Sequence, residues 1–372
     1  MACLLMFQTH AYDAWLDDAG RQTVFFQWTR HGGSLPAPLF LFLAGVAVAL
    51  VCERSIQKGA SAHDASRIAI RRGGQIFALA LLFRLQEFLL GQPNAPWTDL
   101  LRVDVLNIIG LSLVMLGLLV AVAWRSWDAP RAPQVAAVAL ASRLRLRAAL
   151  AATAIAAIIA AATPPMWTTL RPRWLPWFLE SYINGVHIFD RPQTYLFAFF
   201  PWVAFAFGGF AAGCLLASPW ARRRSLESIG AITAGGALLF ALGWWLDSRP
   251  QLYAVYDYWH TSPNYFMART AIVAAVLVIG YFWCRWAPAP WGFSPVVELG
   301  KQSLLVYWVS IELTYGGLSI VRKHAQTIPS ATVALLALTA GMIILAAIRN
   351  RARGRPLREW LSFRRAPTRA AA

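Results

Sequence analysis

Charged residues are scarce in this chain, and acidic residues are the scarcer kind. Only 14% of the 372 residues are charged, with 17 Asp and Glu against 34 Lys and Arg. A soluble globular domain usually has about a quarter of its residues charged. Together with an apolar fraction of 58% and a mean hydropathy of +0.50, this shortage argues against a soluble enzyme and indicates an integral membrane protein.

Cysteines are few, and familiar catalytic motifs are absent. The four cysteines, Cys3, Cys52, Cys214 and Cys284, fall in or beside apolar runs without paired spacing. That pattern argues against a disulfide framework and against a zinc site. The chain has no GxSxG, Walker, CxxC or HExxH pattern. We therefore expect no metal ion, and any chemistry has to come from dispersed His, Arg and carboxylate side chains.

Apolar runs of membrane-spanning length recur between short polar connectors, since about 20 helical residues cross a bilayer core of ~30 Å. The fold class predicted is an all-α polytopic membrane protein with about ten transmembrane helices in one bundle. The first run is too short to span, at about 22 Å for 15 helical residues, and it lacks the basic start and cleavage site of a signal peptide. The runs lie at 1–15, 36–53, 73–91, 103–124, 147–163, 194–217, 226–246, 268–286, 300–320 and 329–347.

The basic residues alternate between connectors, and this alternation predicts orientation. Twenty-one of them lie in the C-terminal tail and in the connectors after the second, fourth and sixth runs, against nine in the other connectors. By the positive-inside rule the rich side is cytoplasmic. The net charge of +17 is then a topology signal, and no nucleic-acid partner is expected. We predict a membrane domain over 1–348 and a basic cytoplasmic tail over 349–372.

The opposite, outward face collects aromatic residues beside polar ones. The segment 164–193 holds three tryptophans, and a second aromatic stretch surrounds His260. Such aromatics are often interfacial belt residues. Tryptophan beside Asp, Asn and His is also typical of sugar binding, because the ring stacks on the sugar while polar groups hold its hydroxyls. His260 is therefore a candidate substrate contact.

Several ionisable groups fall within the apolar runs, where each costs roughly 2.5–3.5 kcal/mol on insertion scales. Arg84 and Glu87 are one helical turn apart, so they can neutralise each other. Asp104 can likewise be a charge favoured by the helix dipole. As a set, these groups predict a polar cavity that opens outward and contacts substrate or an oxyanion. Its candidate residues are Arg84, Glu87, Asp104, Asn107, His260 and Glu312.

A histidine with a carboxylate partner stands at the outward end of the first run. His10 and Asp13 are three residues apart, so the imidazole is a candidate general base whose tautomer the carboxylate holds. A hydrated histidine outside any site is the alternative.

Seven stretches run along the chain in an order and spacing that resemble one family. They are similar to bacterial relatives of the heparan-alpha-glucosaminide N-acetyltransferase catalytic domain, within the wider clan of transmembrane acyltransferases. The stretches are LLMFQTHAYDAW, LPAPLFLFLAGVAVAL, RRGGQIFALALLFRLQEF, RVDVLNIIGLSLVMLG, LFAFFPWVAFAFGGFAAGC, YWHTSPNYFMAR and LGKQSLLVYWVSIELTYG.

The resemblance implies transfer of an acetyl group from cytosolic acetyl-CoA to an amine or hydroxyl of a sugar or glycan across the membrane. It implies an outward catalytic histidine early in the chain, either His10 or His31, and we favour His10. In the mechanism we envisage, Arg67, Arg71 and Arg72 hold the CoA phosphates, and Arg84 or Asn107 stabilises the thioester oxyanion. Direct transfer and an acyl-histidine intermediate both remain open.

The chain departs from the family pattern at its start, because the DxxRG motif that usually precedes the first helix is missing. We therefore expect a truncated or late-annotated N-terminus. The expected location is the bacterial cytoplasmic membrane, with the C-terminus inside and the active site outside. Lipid, acyl-CoA and a glycan are the expected partners, and a homodimer is compatible with the sequence. A polytopic transporter or flippase is the alternative function, and a non-catalytic assembly partner is a third.

Overall fold

A computed structural model describes residues 1–125, 134–170, 172, 174–184, 197–286 and 293–352, with the backbone alone for 134–139. Within these ranges the regular structure is helical, apart from isolated bridge residues, of which Leu16 and Gln326 pair in parallel. The helices confirm the predicted all-α class. They are α1 (Ala2–Trp15), α2 (Asp18–Arg21), α3 (Val24–Gly33), α4 (Pro36–Gln57), α5 (Ala62–Leu90), a 3-10 turn (Trp97–Leu101), α6 (Val105–Ala123), α7 (Gln134–Thr168), α8 (Trp177–Asn184), α9 (Phe199–Leu216), α10 (Pro219–Arg223), α11 (Ser225–Asp247), α12 (Pro263–Trp286), α13 (Pro295–Lys301), α14 (Ser303–Thr314) and α15 (Ile328–Ala352).

Eight helical stretches in the described part of the chain are long and apolar enough to cross a membrane. The protein is therefore an integral membrane protein, as its hydropathy predicts. The other two predicted runs form short helices: α1 has 14 residues and α14 has 12. The eight stretches are Val24–Gln57, Ala62–Leu90, Val105–Ala123, Leu140–Thr168, Phe199–Leu216, Ser225–Asp247, Pro263–Trp286 and Ile328–Ala352.

Contacts divide the chain into two compact units. Unit 1 joins the two ends of the sequence, Met1–Pro36 and Pro288–Ala372, and unit 2 is Ala37–Ala287. The single domain over 1–348 stays a prediction. Of the tail, α15 continues to Ala352, and residues 353–372 lie outside the described residues.

Unit 1 is built around α1, which packs against α3, α14 and α15. Its apolar side is buried, with Phe7 and Leu16 fully enclosed. The Tyr12 hydroxyl shares a hydrogen bond of 2.9 Å with Thr332 Oγ1 of α15. A helix too short to span alone is thus held from several sides by the last helices of the chain.

Unit 2 depends on close helix crossings made possible by glycine. At the crossing of α4 and α9, a Cβ on Gly45 would overlap the Ala206 carbonyl, and one on Gly209 would overlap the Phe42 carbonyl. Small residues let transmembrane helices approach to backbone contact, where packing replaces the hydrophobic effect as the driving force. A Cβ on Gly208, the residue before Gly209, would meet no atom within 4 Å.

These neighbouring glycines give a matched test of the crossing. We expect Gly209→Ala to lower the thermal unfolding temperature and the folded yield in detergent, because overpacking a tight contact costs about 1–3 kcal/mol. Gly208→Ala is the control and should unfold like the parent protein. Equal unfolding temperatures for the two variants, measured by fluorescence-detected size exclusion after heating, would contradict the crossing.

Candidate functional site

The predicted histidine and carboxylate of α1 meet a third side chain in unit 1. The Tyr315 hydroxyl donates a hydrogen bond to Asp13 Oδ2 at 2.7 Å. The Tyr315 ring also stands edge-on to the His10 imidazole, with 5.5 Å between ring centroids and 66° between planes. His10 is half-buried and Asp13 is exposed. The structure therefore brings His10 and Asp13 together with a phenol that the sequence reasoning missed.

A cleft of about 280 Å³ opens beside this group, between α1 and α3. Its walls combine a carboxylate, a guanidinium, hydroxyls and aromatic rings, which are groups that suit a polar ring-shaped ligand. Asp13 therefore faces a space large enough for a small substrate group. The lining includes Thr9, Asp13, Phe26, Thr29, Arg30 and Tyr315.

His31, the other candidate histidine, lies near the end of α3 and is exposed. Its Nδ1 is 2.8 Å from the Gln27 carbonyl of its own helix, and its ring lies 5.8 Å from that of Trp28. His10 contacts Tyr315, which is on another element. This difference favours His10 as the better positioned base, although both residues stay predictions.

The C-terminal end of α1 is held by a loop from the far end of the chain. The backbone N–H of His324 donates to the Ala14 carbonyl at 3.0 Å, and that of Gln326 donates to the Trp15 carbonyl at 2.9 Å. Arg21 adds bonds to the Leu16 and Asp13 carbonyls. Carbonyls at a helix end have no partner inside the helix, so these bonds stabilise α1 at the level of His10 and Asp13.

Glu312, predicted as a cavity residue, is buried on α14 one turn before Tyr315. A Cβ at Gly316 would overlap its Oε2 atom. A glycine at position 316 therefore leaves room for the carboxylate to fold back against the backbone. The structure places Glu312 in unit 1, in the same unit as His10 and Asp13.

Arg84, Glu87 and Asp104 form a buried ion cluster in unit 2. Arg84 Nη2 donates to Asp104 Oδ2 at 2.8 Å, and Nη1 donates to Glu87. Arg84 is 5% exposed and Asp104 is 3% exposed. The pairing predicted for Arg84 and Glu87 is confirmed, and Asp104 on α6 completes it. A guanidinium engaged by two carboxylates fits the structural alternative, so its substrate or oxyanion role stays a prediction.

Asp104 and Asn107 also form the capping box of α6. Asp104 Oδ1 accepts from the Val105 N–H at 2.6 Å, while Asn107 Oδ1 accepts from the Asp104 N–H at 3.0 Å. The helix-end interpretation of Asp104 is therefore confirmed alongside its ion pair. Burial raises the pKa of the Tyr182 phenol of α8, and the nearby Asn107 side chain opposes that rise.

A second buried ion pair, which the sequence did not reveal, joins α4 to α7. Arg145 Nε and Nη2 donate to the two Glu53 oxygens at 3.1 and 2.7 Å, and Gln57 donates to Oε1 at 2.8 Å. Arg145 falls between the predicted runs 103–124 and 147–163, which places it in a connector; this prediction is wrong, because α7 begins at Gln134. Pairing with Glu53 neutralises the buried guanidinium within the helix.

His260 and its neighbours lie on the connector between α11 and α12. Its Nδ1 is 2.7 Å from Asp257 Oδ2, while Asp257 Oδ1 accepts from the Trp259 and His260 N–H groups. The rings of Tyr258, Trp259 and Tyr265 pack edge to face at 5.3–5.8 Å. His260 is part of unit 2, and its contact with substrate stays a prediction. Of the other aromatic segment, residues 171, 173 and 185–193 lie outside the described residues.

Arg67, Arg71 and Arg72 are exposed near the start of α5. Arg67 and Arg71 are one turn apart on one face of α5, and Arg72 begins about 100° further round the helix. Arginine pairs readily with phosphate through bidentate hydrogen bonds. Among the described residues, no group of three His, Cys, Asp or Glu side chains could hold a metal ion.

The fold and these groups define a polytopic helical membrane protein with charges buried as ion pairs and a histidine, carboxylate and phenol beside a cleft. The family model described as "Heparan-alpha-glucosaminide N-acetyltransferase, catalytic" matches residues 1–246, about two thirds of the chain. The chain belongs to this family, which confirms the resemblance and makes it a membrane acetyltransferase by family. A search of curated proteins gave no match.

The family match ends near the end of α11. It includes His10, Asp13, His31 and the Arg84 cluster. His260, Glu312 and Tyr315 lie beyond it, so the resemblance of the stretches YWHTSPNYFMAR and LGKQSLLVYWVSIELTYG stays a prediction. No sequence pattern near Tyr315 indicates that it joins Asp13.

Two arginine–glutamate pairs of unit 2 with the same i,i+3 spacing differ in burial, so they give a test of its effect. We expect Glu87→Gln to lower the unfolding temperature, because Arg84 loses one of its two carboxylate partners and a hydrogen bond to a charged group is worth about 1.5–3 kcal/mol. Glu227→Gln breaks the exposed pair with Arg224, which has the same spacing, and should change stability by less than ~1 kcal/mol. Equal effects in detergent melts would argue against a buried cluster.

Proposed function

We propose that this protein moves an acetyl group from cytosolic acetyl-CoA to an amine or hydroxyl of an extracytoplasmic sugar or glycan. One observation carries the proposal: in a chain of an acetyltransferase family, His10 and Asp13 lie together beside a cleft that Asp13 lines. An imidazole is the side chain best suited to take and return a proton near neutral pH.

The acceptor binds in the cleft of unit 1, with its nucleophilic amine or hydroxyl towards His10. His10 takes the proton of the acceptor as the new C–N or C–O bond forms at the acetyl carbon. The C–S bond of the thioester then breaks, and the departing thiolate recovers the proton as CoA thiol. Asp13 orients the polar groups of the acceptor at the cleft wall, and its carboxylate accepts a hydrogen bond from Tyr315.

The donor is bound through its phosphates by Arg67, Arg71 and Arg72 on α5. Their exposure on one stretch of helix supports this assignment, because phosphate groups bind clustered guanidinium groups through charge-assisted hydrogen bonds. The arrangement of basic connectors supports a cytoplasmic location for this end of α5 and an outward location for the cleft.

Histidine substitutions test the assignment of the base. We expect His10→Ala to reduce acetyl transfer by about 10²–10⁴-fold, the usual contribution of general acid–base catalysis. The assay measures free CoA thiol in membranes supplied with acetyl-CoA and amino sugars or glycan fragments. His63→Ala is the control, since His63 is an exposed histidine at the start of α5.

His31→Ala belongs in the same series because both histidines are candidates. Loss of activity in His31→Ala but not in His10→Ala would transfer the role to His31. Activity retained in both variants would refute the histidine assignment. Solute transport by the wild type without thiol release would point to the transporter alternative instead.

The arginine cluster makes a separate prediction about the donor. We expect a triple Ala variant at Arg67, Arg71 and Arg72 to raise the KM for acetyl-CoA at least tenfold and to leave the acceptor KM unchanged. Each charged hydrogen bond is worth about 1.5–3 kcal/mol. Arg223→Ala is the control, because Arg223 is exposed on α10 and belongs to a connector of the same predicted side. An unchanged donor KM in the triple variant would place the phosphates elsewhere.

A further inference from the structure

Tyr315 occupies a position from which one side chain reaches two groups of α1. It follows directly after Thr314, the last residue of α14, and is half-buried. Asp13 lies 302 residues away in sequence. The hydrogen bond between Tyr315 and Asp13 therefore forms only when unit 1 has folded and brought α1 next to the end of α14.

The hydroxyl and the ring of Tyr315 make separate contacts. The hydroxyl donates to Asp13 Oδ2 at 2.7 Å, which fixes the rotamer of a carboxylate that lines the cleft. The ring meets the His10 imidazole edge to face at 5.5 Å, a geometry favoured between aromatic rings. One side chain thus restrains the carboxylate through a hydrogen bond and the imidazole through packing.

The backbone around Tyr315 is itself well held. Its N–H donates to the Ile311 carbonyl at 2.8 Å, which continues the helical pattern of α14. Its carbonyl accepts a hydrogen bond from Lys323. Because the main chain is fixed on both sides, the phenol has a defined place against α1.

We propose that Tyr315 is a positioning residue of the acetyl transfer: its hydroxyl orients Asp13 for the acceptor, and its ring holds the His10 imidazole in its catalytic orientation. This inference rests on the proposed function. It adds to the site a residue from beyond the stretch that the family model matches. The two roles are separable, because phenylalanine keeps the ring and lacks the hydroxyl.

The test compares Tyr315→Phe with Tyr315→Leu in the thiol-release assay, with KM and kcat measured for one amino sugar acceptor. Tyr315→Phe should raise the acceptor KM about three- to tenfold, as expected for one lost hydrogen bond, with kcat nearly unchanged. Tyr315→Leu should show the same rise in KM and, in addition, a fall in kcat of about 100-fold, because the imidazole loses its restraint.

A double variant shows whether the hydroxyl acts through Asp13. In an Asp13→Ala background the hydroxyl has no carboxylate to orient, so adding Tyr315→Phe should change the acceptor KM by less than twofold. Non-additivity of this kind is the signature of two groups that act as a pair. Additive effects of the two substitutions would overturn the route through Asp13.

Tyr12→Phe is the matched control for a structural role. The Tyr12 hydroxyl bonds Thr332 and, like that of Tyr315, ties α1 to a later part of the chain. It should affect the amount of folded protein without separating KM from kcat. If Tyr315→Phe and Tyr315→Leu differ only in folded yield, the positioning role is wrong. If wild-type protein releases no thiol with any acceptor, the proposed function fails and this inference fails with it.

Discussion

A charge inside a membrane protein has to be compensated within hydrogen-bond distance, and this constraint organises unit 2. Water is absent from the hydrocarbon layer, so a buried guanidinium without a carboxylate is very costly. Arg84 pairs with Asp104, and Arg145 pairs with Glu53. Each pair joins two helices, α5 to α6 and α7 to α4. The ion pairs thereby link neighbouring helices. The glycines at the crossing of α4 and α9 allow these two helices to pack closely.

Unit 1 is stabilised in a different way, with backbone hydrogen bonds in the leading role. The last carbonyls of α1 accept hydrogen bonds from the backbone N–H groups of residues 324–326. Close to that end, Tyr315 contacts the side chains of both His10 and Asp13. This arrangement fits the general pattern in which functional side chains are held in place by supporting residues on a rigid scaffold.

Much of the fold follows from averaged sequence properties, whereas the site depends on distant contacts. Hydropathy located all eight spanning stretches, because the signal of each is averaged over about twenty residues. The three-residue spacing of Arg84 and Glu87 predicted their pair because neighbours on one helix face must meet. Glu53 and Arg145 are 92 residues apart, and Tyr315 is 302 residues from Asp13. Local patterns do not encode such pairs, so the second ion pair and the phenol of the site were missed.

The loop that binds the end of α1 is synthesised long after α1 itself, which fixes the order in which unit 1 can form. A ribosome makes α1 first and reaches His324 roughly 300 residues later, about 15–60 s afterwards at 5–20 residues per second. Until then the last carbonyls of α1 lack their partners, and neither Tyr315 nor the bonds from 324–326 exist. The nascent protein can therefore insert all the helices of unit 2 before His10 contacts Tyr315. The contacts of His10 and Asp13 with Tyr315 can form only after residue 315 has been made.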